Sequence, residues 1–350
     1  MSDAFQALQA RVTEAAEKKR PLRIRGGGSK DFYGRAAAGD RLDTRDHSGV
    51  VDYEPTELVV TVRCGTPLRE LERLLAERGQ MLAFEPPHFG AATIGGAIAT
   101  GLSGPRRATS GAARDFVLGV RVIDGRGRDL SFGGRVMKNV AGYDVSRLIV
   151  GSLGTLALIA EVSLKVLPVP PESLTLVREA GEADAIRWMN EWGGKPLPIS
   201  ATCVFGGKLF VRLSGAAPAL KAARAHLGGD ILSHDAAFWE SVREQAHMFF
   251  AGTGGLWRIS VPSATAPLAL GPTLIEWGGA QRWVRTESDT PGVPAAAIKE
   301  RGHATAFRSR NARDDVFTPL APALARIHSK LKQEFDPHRI FNPGRMYADL

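Results

Sequence analysis

The sequence predicts an α+β protein in two parts: a glycine-rich first half in which strands and helices alternate, and a smaller α+β second half. Three observations carry this. In the first half, runs rich in Val and Ile are followed by stretches with helical periodicity. Three glycine loops lie at the ends of those runs. A proline cluster, Pro168, Pro170 and Pro171, then marks the point where the pattern changes. The expected division is 1–170 for the first domain, 171–334 for the second and 335–350 for a loop-like tail.

The elements follow in order. Residues 1–20 read as a polar, Ala-rich helix and 21–25 as a short strand. Residues 58–64, rich in Val and Thr, read as a clear strand. Gly65, Thr66 and Pro67 then supply a turn, an N-cap and a proline at the first helical position. The helix continues through Leu68, Leu71, Leu74 and Leu75, the spacing of one buried face, and Gly79 ends it. Residues 116–123 predict a strand, 124–127 a turn and 129–132 the returning limb of a hairpin. A long strand over 156–167 closes the half. Beyond the prolines, 209–213 and 257–261 read as short strands, 217–227 as an Ala-rich helix and 319–335 as a final helix.

Composition excludes several classes. The chain has 350 residues, 44% hydrophobic and 23% charged, an ordinary globular balance. No apolar run reaches the roughly 18 residues of a membrane span. The N-terminus lacks the apolar core and cleavage site of a signal peptide, so a cytoplasmic location is expected. The net charge of +8 is spread along the chain, whereas a nucleic-acid binder concentrates it in a stripe or arm. A mixed basic surface explains it, or else an acidic partner subunit or an anionic membrane face. Cys64 and Cys203 lie in apolar, strand-like runs without a CxxC spacing. Alone they cannot hold an iron–sulfur cluster or a four-Cys zinc. His226, His234, His247, His328 and His338 are scattered, and no metal site is expected.

The glycine loops carry the chemistry. Arg25, Gly26, Gly27, Gly28, Ser29 and Lys30 follow a strand. Successive glycines let neighbouring N–H groups converge on one concavity, which suits a pyrophosphate. Ser29 adds a hydroxyl donor, and Arg25 and Lys30 add charge. The spacing is neither that of a Walker A loop nor GxGxxG. Residues 93–101 are nearly all small, so their backbone can approach a flat ring closely; a tightly packed strand and turn is the other reading. Ser103-Gly104 and Ser110-Gly111 extend the run, and Gly151 to Leu156 (GSLGTL) opens the last strand of the half.

In the order RGGGSK, VTVRCGTPLRELERLL, ATIGGAIATG, SGAARDFVLGVRVIDGRG and KNVAGYDVSRLIVGSLGTLALIAEVSLKVLP, the first half resembles the FAD-binding domain of the vanillyl-alcohol-oxidase/p-cresol-methylhydroxylase (PCMH) type. LWRISVPS, EWGGAQRW and FDPHRIFNPGRMY extend the likeness over the whole chain and are similar to the FAD-binding subunits of bacterial glycolate oxidases. The resemblance implies a PCMH-type FAD-binding domain of two α/β subdomains, with FAD held non-covalently, and a smaller α+β domain. It implies that Arg25, Gly26, Gly27, Gly28, Ser29 and Lys30 hold the pyrophosphate. Thr93, Ile94, Gly95, Gly96, Gly101, Ser103 and Gly104 would line the flavin, and Ser110, Gly111 and Ala112 would continue that wall. Ile159, Glu161 and Val162 would meet the adenine end through backbone groups. The tail from Asn342 would return to the flavin domain. As partners it implies a larger FAD-linked subunit and an iron–sulfur subunit, with membrane contact only through the complex.

The chain departs from its large catalytic relatives in two places. Leu153 stands where they carry an acidic residue, and their His-rich segment is reduced to Gly302-His303. Oxidising a 2-hydroxy acid through a flavin needs a cation for the carboxylate, a base for the hydroxyl proton and the flavin as hydride acceptor. Arg258 and Arg282, each beside a tryptophan, are the candidate clamps; a surface arginine stacked on Trp257 or Trp283 is the plainer alternative. Tyr143 and Lys138 are candidates in the KNVAGYD segment, and His88 reads as a pocket-edge residue. The expected function is that of an FAD-binding subunit oxidising glycolate to glyoxylate, with electrons leaving through the iron–sulfur partner. A self-sufficient FAD-linked 2-hydroxyacid oxidoreductase and a non-catalytic scaffold subunit are the alternatives.

Overall fold

The structure, a computed structural model, describes residues 3–134, 143–286, 292–308 and 315–350. The N-terminal helix Asp3–Lys18 packs Phe5, Leu8, Val12 and Ala15 against Leu22, Leu42, Ile340 and Phe341. Beside it, Leu22–Arg25 and Asp40–Asp43 form a parallel pair. A five-stranded antiparallel sheet follows, in the order Val50–Glu54, Val59–Arg63, Leu158–Lys165, Val117–Ile123 and Asp129–Gly133. Val60, Val62, Val120, Val122, Val162 and Leu164 bury one face of it beneath the helices Leu68–Ala76 and Ile94–Thr100.

Two local expectations change. Proline 67, not Thr66, caps the first of these helices, and it gives no side-chain bond. The Thr66 hydroxyl is used elsewhere: it donates to the Arg63 carbonyl at 2.7 Å and accepts from the Gly49 N–H at 3.0 Å. The small-residue run over 93–101 is a helix rather than a strand and turn. Thr93 Oγ1 accepts from the Gly96 N–H at its start, and Gly101, at φ 62°, ends it in the left-handed region.

The second half is built on an eight-stranded antiparallel sheet. Its order is Asp230–Ile231, Glu172–Glu179, Lys208–Gly215, Ile199–Phe205, Thr273–Glu276, Gln281–Thr286, Gly255–Ser260 and His303–Arg308. Strand alternation gives it two faces. One is covered by the helices Glu182–Gly193, Ala217–Leu227 and Gly292–Lys299, with Val211, Ile275, Ile259 and Val284 beneath them. The other carries Cys203, Leu274, Trp283 and Phe307, which pack with Tyr33, Leu102 and Leu153 from the first half. That second face therefore lies against the glycine-rich half.

The C-terminal segment joins both halves. Lys332, on the helix Pro322–Phe335, is 1% exposed and donates to the Thr155 carbonyl at 2.7 Å, the Phe341 carbonyl at 3.1 Å and Asp336 Oδ2 at 2.8 Å. Asp336 in turn accepts from the N–H groups of Ile340 and Phe341. This buried pair turns the chain back so that Phe341 bridges to Leu22 beside the first glycine loop.

Candidate cofactor cavity and the facing cleft

A cavity with about 700 Å³ of empty space, part of it open to solvent, lies where the glycine loops converge. Arg25, Gly26, Gly27, Gly28, Ser29 and Lys30 form one wall, and Thr93, Gly95, Gly96, Ala99 and Thr100 another. Leu153, Gly154, Ala157, Ile159, Asn342 and Arg345 complete it. The backbone N–H groups of residues 26–30 donate to no acceptor among the described residues. Five consecutive donors lining a cavity, four on half-buried residues and the fifth on buried Lys30, form an anion nest. The loop is pressed so close to residue 91 that a Cβ at Gly27 would strike the Ala91 carbonyl, and Gly28 sits at φ 75°. Arg25 Nε binds Asp31 at 2.7 Å, and its guanidinium covers Gly28. Lys30 is 6% exposed and bonds only neutral oxygens, the His88 carbonyl at 3.2 Å and Ser29 Oγ at 3.4 Å. Burial holds its ammonium down to about 8, opposed by Glu244. These features fit a dianionic pyrophosphate and a long, flat nucleotide, which is the shape and charge of FAD.

The remaining expected cofactor residues fall into three groups. Asn342 lines the cavity while stapling it: its Oδ1 accepts from the Ile24 N–H at 2.8 Å and its Nδ2 donates to the Leu153 carbonyl at 2.7 Å. Ile94, Gly101, Glu161 and Val162 lie off the wall. Ile94 and Val162 are core residues, Gly101 caps its helix, and Glu161 pairs with Arg121 at 3.1 Å. Ser110, Gly111 and Ala112 are also off it; the Ser110 hydroxyl bonds the Ala83 carbonyl at 2.9 Å. The His88 ring turns to Glu72, 2.8 Å away. Arg345, in the tail expected to return to the flavin domain, lines the cavity and ties residues 30 and 33 to the tail through their carbonyls, at 3.2 and 3.0 Å. The FNPGR stretch was its only signal.

Ser103 and Gly104 belong to a second, smaller cleft, with about 320 Å³ of empty space that is partly open to solvent, between the glycine-rich half and the large sheet. Arg258, Glu276, Gln281, Trp283 and Phe307 line its sheet side. Arg258 pairs in register with Trp283, and Arg282 with Ile259, so the two expected clamps point from opposite faces. Arg258 faces the cleft and donates to the Tyr33 hydroxyl at 2.9 Å. Arg282 is 0% exposed on the helix-covered face and binds the carbonyls of Gly279, Ala266 and Thr265. It is a structural group, because every arm of its fork is occupied far from the cleft. Tyr143 is 97% exposed and meets neither cavity; Lys138 lies outside the described residues.

Glycine loops with free donors, and a sheet covering the cleft beside them, define a flavin-nucleotide-binding protein, and residues 5–133 match the family described as FAD binding domain. Over 350 residues the chain is 50% identical to the glycolate oxidase subunit GlcE of Escherichia coli (strain K12), covering 99% of each. It belongs to the GlcE family of glycolate oxidase subunits. More distantly it is 31% identical to the glycolate oxidase subunit GlcD of Bacillus subtilis, across 50% of this chain and 37% of that one. It is 32% identical to a D-lactate dehydrogenase of Archaeoglobus fulgidus, across 53% of this chain and 42% of that one. In fold it matches alkyldihydroxyacetonephosphate synthase, with a TM-score of 0.68 at 15% identity over 97% of this chain and 75% of that one.

Proposed function

We propose that this chain is the FAD-binding subunit of a complex that oxidises glycolate to glyoxylate. The observation that carries the reading is end-to-end likeness to a glycolate oxidase subunit, joined to a cavity whose residues suit FAD. The nest at residues 26–30 and Lys30 would hold the pyrophosphate. The helix Ile94–Thr100 offers a wall of small residues to the rest of the nucleotide. Asn342 and Arg345 close the cavity against water. Bound there non-covalently, FAD supplies a two-electron acceptor.

The electrons leave through another chain. The two cysteines are both buried and in different halves, so an iron–sulfur centre belongs to a partner subunit. The larger FAD-linked subunit is the second partner, and the assembly works at the inner face of the membrane. No helix of the described residues is long and apolar enough to cross a membrane, and contact with it runs through the complex. Tagged chain expressed with its partner subunits tests this. Co-purification of a complex that reduces an electron acceptor with glycolate, lost when this chain is omitted, is the expected outcome. Full turnover without this chain would refute it.

A further inference from the structure

A short strap, residues 85–89, runs beside the first glycine loop. Residues 88–91 lie against residues 27–30: a Cβ at Gly27 would strike the Ala91 carbonyl, and one at Gly90 would lie 4.0 Å from Ser29 Cβ. The His88 carbonyl accepts from Lys30 Nζ at 3.2 Å, and that ammonium lies 5.6 Å from the centre of the Phe89 ring. The strap therefore decides where Lys30 stands beside the nest. Pro86 and Pro87 stiffen its middle. Glu85 and Phe89, at its ends, both take left-handed backbone, at φ 47° and 53°. Residues with side chains disfavour that conformation, so their surroundings must hold it.

The groups that hold it come from the second half. Arg212, on the strand Lys208–Gly215, donates to both Glu85 oxygens at 2.8 and 3.0 Å. Glu244 follows the helix Asp235–Arg243 and turns its carboxylate onto the strap backbone. The His88 N–H donates to both of its oxygens at 3.1 Å, and the Phe89 N–H to Oε2 at 2.9 Å. Arg243 Nε aligns the carboxylate with a bond to Oε1 at 2.9 Å. The Phe89 N–H and the His88 carbonyl are the two ends of one planar peptide. One end donates to Glu244 and the other accepts from Lys30. Fixing the first end fixes the second, and a chain of hydrogen bonds with an anion at one end and a cation at the other polarises the amide between them.

We propose that Glu244 is a positioning residue for the pyrophosphate subsite: reaching over from the sheet half, it sets the plane of the 88–89 peptide and, through it, the place of Lys30. The proposal rests on the FAD-binding reading above and gives the second half a part in holding the cofactor. Glu244 also supports the Lys30 ammonium electrostatically, against the larger lowering effect of burial. The other charged groups around Lys30 and the strap are few among the described residues. Arg25 and Asp31 pair with each other on the loop itself, and Arg345 of the tail binds the Lys30 carbonyl. Arg308 lies 5.3 Å from the centre of the Phe89 ring, and Glu72 binds the His88 imidazole.

Fluorescence quenching of FAD titrated with the full chain across pH 6 to 9.5 tests this. Glu244→Ala is expected to weaken FAD binding about tenfold at pH 6.5, the worth of roughly one charge-assisted hydrogen bond. Glu244→Gln, whose amide oxygen still accepts from the Phe89 N–H, should recover most of that loss. Neither variant carries the charge that supports Lys30. In both, the pH above which affinity falls should therefore move below that of the parent, which lies near 8. A carboxylate acting only as a nearby charge would give tighter FAD binding at pH 6.5 in both variants, because an anion close to the phosphates is removed. One acting only as a brace of the fold would leave the fall near pH 8. Either result, or unchanged affinity in Glu244→Ala, overturns the proposal and leaves the FAD reading intact. A parent chain that takes up no FAD overturns that reading itself, and this proposal with it.

Discussion

The two cavities are made in opposite ways. The first is built from backbone: free N–H groups at residues 26–30 and a helix of small residues at Ile94–Thr100. The second is built from side chains on separate strands, Arg258, Glu276, Gln281, Trp283 and Phe307, brought together by cross-strand register. The first depends on what residues lack, and glycine runs advertise that. The second depends on which neighbour each strand pairs with, which no short stretch of sequence records. Substitutions that damage one cavity should therefore leave the other intact, and the following experiments press on that separation.

The largest expected effect comes from the tail that closes the first cavity. Lys332 and Asp336 are a buried pair at 1% and 0% side-chain exposure. Asp336→Ala leaves the buried ammonium without a counter-charge and two backbone N–H groups unsatisfied, and should cost about 3–5 kcal/mol. The fall in urea midpoint measures it. Changing both residues to apolar ones of similar volume should restore part of the loss, whereas a pair of merely additive losses would show that the two residues act separately.

Gly27→Ala comes next. Its Cβ would enter the Ala91 carbonyl, so the loop must move, at about 3 kcal/mol in overpacking strain. FAD content of the purified protein should drop sharply, and by more than the fall in urea midpoint accounts for. Unchanged FAD content would mean that this loop does not hold the pyrophosphate.

Arg282→Met sharpens the contrast on the other side. Its fork satisfies three carbonyls on the helix-covered face, so stability should fall by about 2–3 kcal/mol. FAD content should hold. Loss of FAD at unchanged stability would give Arg282 a part in the cofactor site.

These cases show what the sequence made legible. The alternation of strands and helices, the hairpin over 117–133 and the glycine loops were readable, because each is encoded within a few neighbouring residues. Residues 93–101 were recognised as small but not as a helix, since a run so poor in side chains carries no apolar periodicity. The two arginines were singled out together because both neighbour tryptophans. Only the register, with Arg258 opposite Trp283 and Arg282 opposite Ile259, separates them. Glu276 is silent in the sequence: a single glutamate before a tryptophan and two glycines gives no hint that the Trp283 indole and the Gln281 amide will both fix one of its oxygens. Arg345 was hidden in a loop whose position depends on the distant Lys332–Asp336 pair.

The smallest effect, and the most specific to the backbone-built cavity, is a pH dependence. In the FAD-free protein Lys30 sits at about 8 against a reference value of 10.5, mainly because burial disfavours its charge. Between those values the unfolded chain binds the proton more tightly than the folded one. The FAD-free protein therefore gains stability as pH rises from about 8 to 10.5, opposite to a lysine that gains a partner. A pyrophosphate in the nest reverses the environment, because an adjacent anion favours the ammonium. Binding FAD above pH 8 then requires uptake of a proton, and affinity should fall about tenfold per pH unit there while staying level below it. Lys30→Met should bind FAD more weakly below pH 8 and lose the slope. Fluorescence quenching of FAD titrated with apoprotein from pH 6.5 to 9.5 reads both. A slope that survives in Lys30→Met would place the titrating group elsewhere and detach Lys30 from the phosphates, leaving the backbone donors to hold them alone.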